Sequence, residues 1–240
     1  MDSLSKDIVL MYHGVVEGEL ENSFAAEDLY DVRLKDFREQ MDFLKRENYS
    51  VGLLDEGTKD KTKVVLTIDD GEISNYAKAW PILKDHQFKA YFFILVDRIG
   101  KPGYMGWKEL NELFQAGMKI GSHGMNHEIL TQLGSQELKR VLLDSRLTLE
   151  KNLKREVRDF SVPRGQYNAE VLKAAQDCGY EHFFVSDESP ASAFCIGRTA
   201  VKKSWNLKRF EMALHGQKPF PEKILSMVKR RINPLLRRLS

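Results

Sequence analysis

Short apolar runs rich in β-branched and aromatic residues alternate with segments of helical periodicity, and this alternation constrains the fold more than any other feature. Strands are predicted at 8–12, 63–68, 90–96, 119–122, 159–162, 182–186 and 194–197. Helices are predicted at 34–47, 75–84, 107–116, 135–152 (with Ser135 as N-cap), 168–178 and 206–214. Strands that alternate with helices, without a Pro/Ser-rich linker or an internal repeat, predict a single parallel α/β barrel.

Composition excludes several classes of protein. Hydrophobic residues make up 42% of the 240 residues and charged residues 30%, which is ordinary for a soluble domain and excludes disordered and fibrous chains. Two cysteines, Cys178 and Cys195, are too few for a disulfide scaffold and lack the spacing of a metal site. Residues 1–220 carry 31 basic and 34 acidic groups, so no nucleic-acid partner is expected.

The last 20 residues differ from the rest in charge. Residues 221–240 contain six basic residues and one acidic residue, interleaved with apolar ones at roughly helical spacing. The sequence therefore predicts a barrel domain over 1–220 and a basic amphipathic tail over 221–240. Such a tail is typical of peripheral contact with anionic lipid, and a helix that covers the barrel floor is the alternative.

The first residues do not resemble a secretory signal, and no apolar run reaches the roughly 18 residues of a membrane span. The expected location is the cytoplasm, with the inner face of the membrane as an alternative through the tail.

Two motifs that can carry chemistry directly follow predicted strands, where the active sites of parallel barrels lie. Asp69 and Asp70 follow the second strand, and adjacent carboxylates repel one another unless a cation or proton separates them. An Asp-Gly turn without function is the alternative interpretation. His123 and His127 follow the fourth strand, at a spacing that lets two imidazoles converge on one metal ion.

The two motifs complete one another. One carboxylate and two histidines give three protein ligands and leave a position for water, which is the arrangement of a catalytic metal site. The second carboxylate then serves as a general base. We therefore predict a divalent metal cofactor, with zinc as the first choice and cobalt, nickel or iron as alternatives.

The segments TIDDG, HGMNH and VPRGQYN together resemble the polysaccharide deacetylase family (NodB homology, carbohydrate esterase family 4). The resemblance covers about residues 8–216, and the opening VLMYHGV and the late GRTAVKKSWNLKRFEMALHG are similar to members from surface-polysaccharide gene clusters. It implies a distorted (β/α)7 barrel that removes acyl groups from N-acetylated sugars with a divalent metal.

The resemblance also implies roles for individual residues. Asp69 would be the catalytic base, and the metal ligands would be Asp70, His123 and His127. Pro163, Arg164 and Gly165 would form one wall of the substrate groove, with the Arg164 amide binding the oxyanion.

Two further residues are candidates for the substrate side of the site. His13 follows the first strand, and Trp107 stands in a glycine-containing segment suited to sugar stacking. A structural histidine and helix-start packing are the respective alternatives.

Three departures from the family pattern are visible. The third motif of the family usually begins with an arginine that orients the base, and Ser161 stands at that place. The side chain of Arg164 is one candidate to substitute for it. The fourth motif is missing, and no histidine follows the last strand, so the general acid is not assigned.

The predicted function is metal-dependent deacetylation of an N-acetylated sugar, nucleotide-linked or lipid-linked, in surface polysaccharide or lipopolysaccharide biosynthesis. One alternative is hydrolysis of another linear amide, such as an N-formyl group. A metal-binding pseudoenzyme that acts as a partner in glycan assembly is the other.

Overall fold

A computed structural model describes residues 7–18, 29–56, 62–187 and 194–217. The chain divides into two units, Met1–Ser204 and Trp205–Ser240. The predicted basic tail lies outside the described residues, so its helix and the boundary at 220 stay predictions. No helix within the described ranges is both long and apolar enough to cross a bilayer.

Parallel strands form the centre of the first unit. The main sheet contains β1 (Ile8–Tyr12), β4 (Ser50–Val51), β5 (Lys63–Ile68), β6 (Ala90–Ile94), β7 (Lys119–Ser122), β8 (Asp159–Ser161), β9 (His182–Val185), β10 (Cys195–Gly197) and β11 (Thr199–Ala200). Its order is β10-β9-β8-β7-β6-β5-β1-β11, with β4 beside the start of β5. Four two-residue strands were not predicted from the sequence pattern. Two of them, β4 and β11, join the main sheet, whereas β2 (Val15–Val16) and β3 (Val32–Arg33) pair with each other.

The last two strands nearly close the sheet into a barrel. β10 pairs with β9, whereas β11 pairs with β1 at the opposite end of the sheet. A single residue, Arg198, separates these two strands, so they act as one continuous stretch of chain that changes its partner. Counted in this way, the barrel has seven parallel strand positions, which confirms the predicted distorted (β/α)7 fold.

Helices connect the strands: α1 (Leu34–Arg46), α2 (Trp80–His86), α3 (Trp107–Gln115), α4 (Ser135–Leu153) and α5 (Ala169–Asp177), while α6 (Leu207–Leu214) belongs to the second unit. The helix predicted at 75–84 begins instead with a π-helical turn, Asn75–Ala79. Gly134 occupies the N-cap of α4, so the prediction of Ser135 as that cap is wrong. The backbone of Gly134 is extended, so Ser135 is the first residue of the helix and not its cap.

Aromatic side chains fill the barrel interior. The rings of Tyr91, Phe93 and Phe184 are completely buried and lie with centroids 4.9–6.0 Å apart. Every residue of β5 and β6 is buried, because the barrel covers one face of each strand and the helices cover the other. This rigid packing fixes where the strand ends project polar side chains.

Candidate metal centre and active site

The predicted motifs meet at the C-terminal ends of neighbouring strands. β1 and β5 are paired up to Tyr12 and Ile68, and the Asp69 amide then donates to the Tyr12 carbonyl oxygen at 3.0 Å. The end of β7 is paired with Ile94 of β6. Strand pairing therefore brings the segments after β1, β5 and β7 to one edge of the barrel.

The structure places Asp70, His123 and His127 together, with one ligand atom from each within 4.8 Å of the others. The Asp70 carboxylate lies 3.4 Å from Nε2 of His123 and 3.8 Å from Nε2 of His127. Ligands about 2.1 Å from a tetrahedral zinc ion are separated by about 3.4 Å. The three residues therefore fit a divalent cation in both chemistry and spacing.

A hydrogen bond fixes the tautomer of His123. Its Nδ1 lies 2.8 Å from the Ser161 carbonyl oxygen, which can only accept a hydrogen bond, so Nδ1 carries the hydrogen. Nε2 is then left with its lone pair toward Asp70. Metal-bound histidines are held in this way by a partner at their other ring nitrogen.

Two of these three residues have a left-handed backbone. Asp70 has φ 73° and His127 has φ 65°, a region that costs non-glycine residues about 1 kcal/mol or more. The surrounding strand ends hold both residues there. Strained backbone of this kind clusters at functional sites, and here it directs both side chains toward one point.

Asp69 faces a buried arginine that the sequence interpretation did not select. Arg198 donates to Oδ1 of Asp69 at 2.8 Å and to Oδ2 at 2.9 Å. Ser161 Oγ donates to Oδ2 at 3.0 Å. Both charged side chains are almost completely buried, with 2% of Asp69 and 1% of Arg198 exposed. Asp69 is thus an ionised carboxylate beside the three-ligand cluster and outside it.

The neighbouring aspartates have opposite electrostatic environments. Burial by itself would raise the pKa of Asp69, but the charge and hydrogen bonds of Arg198 outweigh it and hold the pKa well below its usual range. Burial and the negative charges of Asp69 and Glu72 raise the pKa of Asp70 to about 8. A bound cation would offset that repulsion, which is a further sign that Asp70 fits a metal site.

His13 follows β1, next to Asp69. Its ring stacks on Tyr30 with centroids 5.0 Å apart, and its Nδ1 is buried with no hydrogen-bond partner among the described residues. Burial lowers its pKa to about 4, although the charge of Asp69 raises it. A neutral imidazole therefore lines the site on this side.

The predicted groove wall forms a short 3-10 turn after β8. Pro163 is buried and lies near the loop that contains His123, since a Cβ on Gly124 would be 3.8 Å from the Pro163 ring. Arg164 has φ 57° and an exposed side chain. The guanidinium that pairs with Asp69 is thus that of Arg198, and the suggestion that Arg164 takes this place is corrected. Binding of the oxyanion by the Arg164 backbone amide stays a prediction, and so does the place of Gly165 in the groove wall.

Trp107 begins α3 after a loop that is tied to the Asp70 turn. The Met105 amide donates to the Gly71 carbonyl oxygen at 3.0 Å, and the Ile73 amide donates to the Gly103 carbonyl oxygen at 2.8 Å. Trp107 itself is half-buried and its carbonyl oxygen accepts a bond from Asn111. Its contact with sugar stays a prediction.

Sequence reasoning missed Arg198 because no local pattern distinguishes it from the other arginines. One signal was available: it directly follows the last predicted strand, at the end where barrel active sites lie. The rule that located Asp69, His123 and His13 applied to Arg198 as well.

Comparison with known proteins agrees with the fold and the motifs. Residues 56–183 match the family described as polysaccharide deacetylase, which is more than half of the chain. The chain belongs to the polysaccharide deacetylase family, a family of carbohydrate deacetylases.

Individual relatives extend the match. The chain is 31% identical to the protein YxkH of Bacillus subtilis over 192 residues, which cover 77% of this chain and 66% of that protein. It is 24% identical to the poly-beta-1,6-N-acetyl-D-glucosamine N-deacetylase of Staphylococcus aureus, over 75% of this chain and 72% of that one. The Streptococcus pyogenes deacetylase PplD, solved in complex with acetate, has a TM-score of 0.78 and 26% identity and covers 89% of this chain and 98% of that one.

Proposed function

We propose that this protein is a metal-dependent N-deacetylase that removes the acetyl group from an N-acetylated sugar of a glycan or glycan precursor. The observation that supports this most is the ionised, buried Asp69 beside the cluster of Asp70, His123 and His127. A purely structural metal site has no use for a second carboxylate held ready in this manner.

Separate residues would bind the metal, accept the proton from water and stabilise the oxyanion. Asp70, His123 and His127 would hold the cation, which supplies Lewis-acid chemistry that polarises the acetamide carbonyl and acidifies water. Asp69 accepts a proton from the attacking water, and the Arg164 amide donates to the carbonyl oxygen as it becomes negative.

Cleavage completes the reaction. The carbon–nitrogen bond breaks, the departing amine takes up the proton that Asp69 accepted, and acetate leaves. His13 offers a neutral ring nitrogen to the bound substrate on the β1 side of the site.

One of the observations behind the pseudoenzyme alternative no longer supports it. It rested partly on the absence of the family's base-orienting arginine, because Ser161 stands in its place. Arg198 supplies a guanidinium to Asp69, and Ser161 itself contacts the same carboxylate. This arrangement favours an active enzyme.

For the substrate we propose an N-acetylglucosamine-type sugar, because the S. aureus relative is named for poly-beta-1,6-N-acetyl-D-glucosamine. The basic residues of 221–240 favour a lipid-linked sugar or contact with anionic lipid. A nucleotide-linked sugar is the other form, and the cytoplasmic location stays a prediction.

The test measures metal content and product release together. Protein stripped by a chelator and reconstituted with zinc or cobalt would be incubated with β-1,6-linked N-acetylglucosamine oligomers, a UDP-N-acetylhexosamine, a lipid-linked N-acetyl sugar and an N-formylated analogue. We expect acetate and free amine to appear in equal amounts from an N-acetylated substrate and to disappear on chelation. A metal-loaded protein that releases no acetate from the acetylated substrates contradicts the proposal. Release of formate from the formylated analogue alone would show that the enzyme hydrolyses an N-formyl group instead.

A further inference from the structure

The barrel closes at the residue that contacts the proposed base. The Arg198 amide donates to the Val185 carbonyl oxygen of β9, whereas the Val201 amide, three residues later, donates to the Met11 carbonyl oxygen of β1. Arg198 is therefore the point at which the last stretch of strand leaves β9 and joins β1. Its side chain turns into the barrel and is completely buried.

Among the residues that the structure describes, Asp69 is the one acidic side chain that pairs with the Arg198 guanidinium. Besides its two bonds to Asp69, it donates to Thr67 Oγ1 at 3.1 Å and to Ser161 Oγ at 2.8 Å, and it lies 5.7 Å from the centre of the Phe93 ring. A bidentate pair restricts the carboxylate in both position and orientation more strongly than a single bond would.

Ser161 links this pair to the metal ligands. Its hydroxyl bonds to Asp69 and accepts from Arg198, while its carbonyl oxygen accepts from His123. The base, the arginine and a metal ligand thus meet at one residue of β8. Any displacement of Arg198 would be transmitted to Asp69 directly and to His123 through Ser161.

We propose that Arg198 is the positioning residue of Asp69, so that closure of the barrel also assembles the active site. The inference rests on the proposed function, because it assigns Arg198 a role in the geometry of the base. Ser161 approaches Oδ2 of Asp69 from β8, and Arg198 approaches the same oxygen from the junction of β10 and β11. An arginine at position 161 or at position 198 could therefore place its guanidinium against the Asp69 carboxylate.

An exchange of the two side chains tests this inference. The variants are Arg198→Ser and the double variant Ser161→Arg/Arg198→Ser, which has the composition, net charge and total side-chain volume of the wild type. Arg140→Ser, at an exposed arginine on α4, is the matched control. Melting temperature, bound metal, kcat and KM would be measured for each protein.

We expect Arg198→Ser to bind metal but to lose at least 100-fold in kcat with KM changed less than threefold, because a misplaced base slows chemistry more than binding. The exchanged variant should recover at least tenfold of that loss and part of the melting temperature. The control should match the wild type. If Arg198→Ser does not fold, Arg198→Lys replaces it, and we expect the same split between kcat and KM.

Two results would overturn the inference. One is a kcat within threefold of the wild type for Arg198→Ser or, where that variant is not folded, for Arg198→Lys. The other is an exchanged variant that regains melting temperature without regaining kcat, which would make Arg198 purely structural. A metal-loaded wild type that deacetylates nothing contradicts the proposed function instead, so the two failures are distinguishable.

Discussion

At the scale of single residues, the site depends on two adjacent aspartates with different partners. Asp69 is kept ionised by Arg198, whereas Asp70 lies near negative charges and has a raised pKa. Two carboxylates that differ only in environment can in this way take two roles, one as base and one as ligand.

This division of roles predicts different results for two substitutions. Asp69→Asn should abolish turnover and leave the metal bound, because Asp69 is not in the ligand cluster. His123→Ala should lose both, because it removes one of three ligands. Metal content by elemental analysis and acetate release would be measured on the same samples.

A control accompanies these variants. Asp177→Asn, at an exposed position on α5, should change neither quantity. Equal loss of metal from Asp69→Asn and His123→Ala would show that the roles have been assigned wrongly.

At the scale of elements, each strand end and helix end sets the direction of the chain that follows. Helix α4 ends at Leu153 and is capped by Lys154, whose φ of 56° lies in the left-handed region that glycine adopts without strain. The structure thus places a lysine where helices commonly have glycine.

Lys154→Gly should therefore stabilise the protein. Relief of the left-handed strain outweighs the added freedom of the unfolded chain by a few tenths to about 1 kcal/mol, which is about 1–3 °C in melting temperature. Lys151→Gly, one turn earlier in the same helix, should destabilise by about 1 kcal/mol. Thermal unfolding of the two variants gives the comparison, and a decrease in both would contradict this explanation.

At the scale of the whole molecule, the two ends of the barrel differ in function. The proposed site lies at the C-terminal ends of the strands. The N-terminal ends contain an ion pair between Asp159 and His182, opposite one another in β8 and β9, with Nδ1 of the histidine 2.8 Å from the carboxylate. An ion pair at this end of a parallel barrel serves stability and not chemistry.

This pair makes stability depend on pH. The hydrogen bond to Asp159 raises the pKa of His182 above its ordinary value, and partial burial only reduces that effect. The pair therefore contributes fully below the unfolded-state pKa of about 6.5, and its contribution is lost as pH rises through the higher folded-state pKa. The melting temperature of His182→Gln should accordingly fall further below that of the wild type at pH 6 than at pH 9.

The control for this pH series is His215→Gln, at an exposed histidine. Its difference from the wild type should be small at both pH values. A gap between His182→Gln and the wild type that does not change with pH would show that packing, and not charge, accounts for the effect.

The sequence by itself determined the seven longer barrel strands and the candidate metal-ligand motif. β1, β5 and β7 have the bounds that their apolar runs predict, since a run of residues buried on both faces is a local signal. The candidate ligands Asp70, His123 and His127 were recognisable for a similar reason: they lie in the segments that follow β5 and β7, and parallel strands end at one edge. The four strands that were not predicted, at 15–16, 32–33, 50–51 and 199–200, have only two residues each, too few for any periodicity.

Only the tertiary structure decided how the base is held. Arg198 and Asp69 are separated by 129 residues, and no local pattern pairs them. They meet because the last strand changes its partner from β9 to β1 at Arg198 and turns that side chain into the interior. A buried charge must find an opposite charge there, and which residue supplies it depends on how the barrel closes, a property of the whole chain.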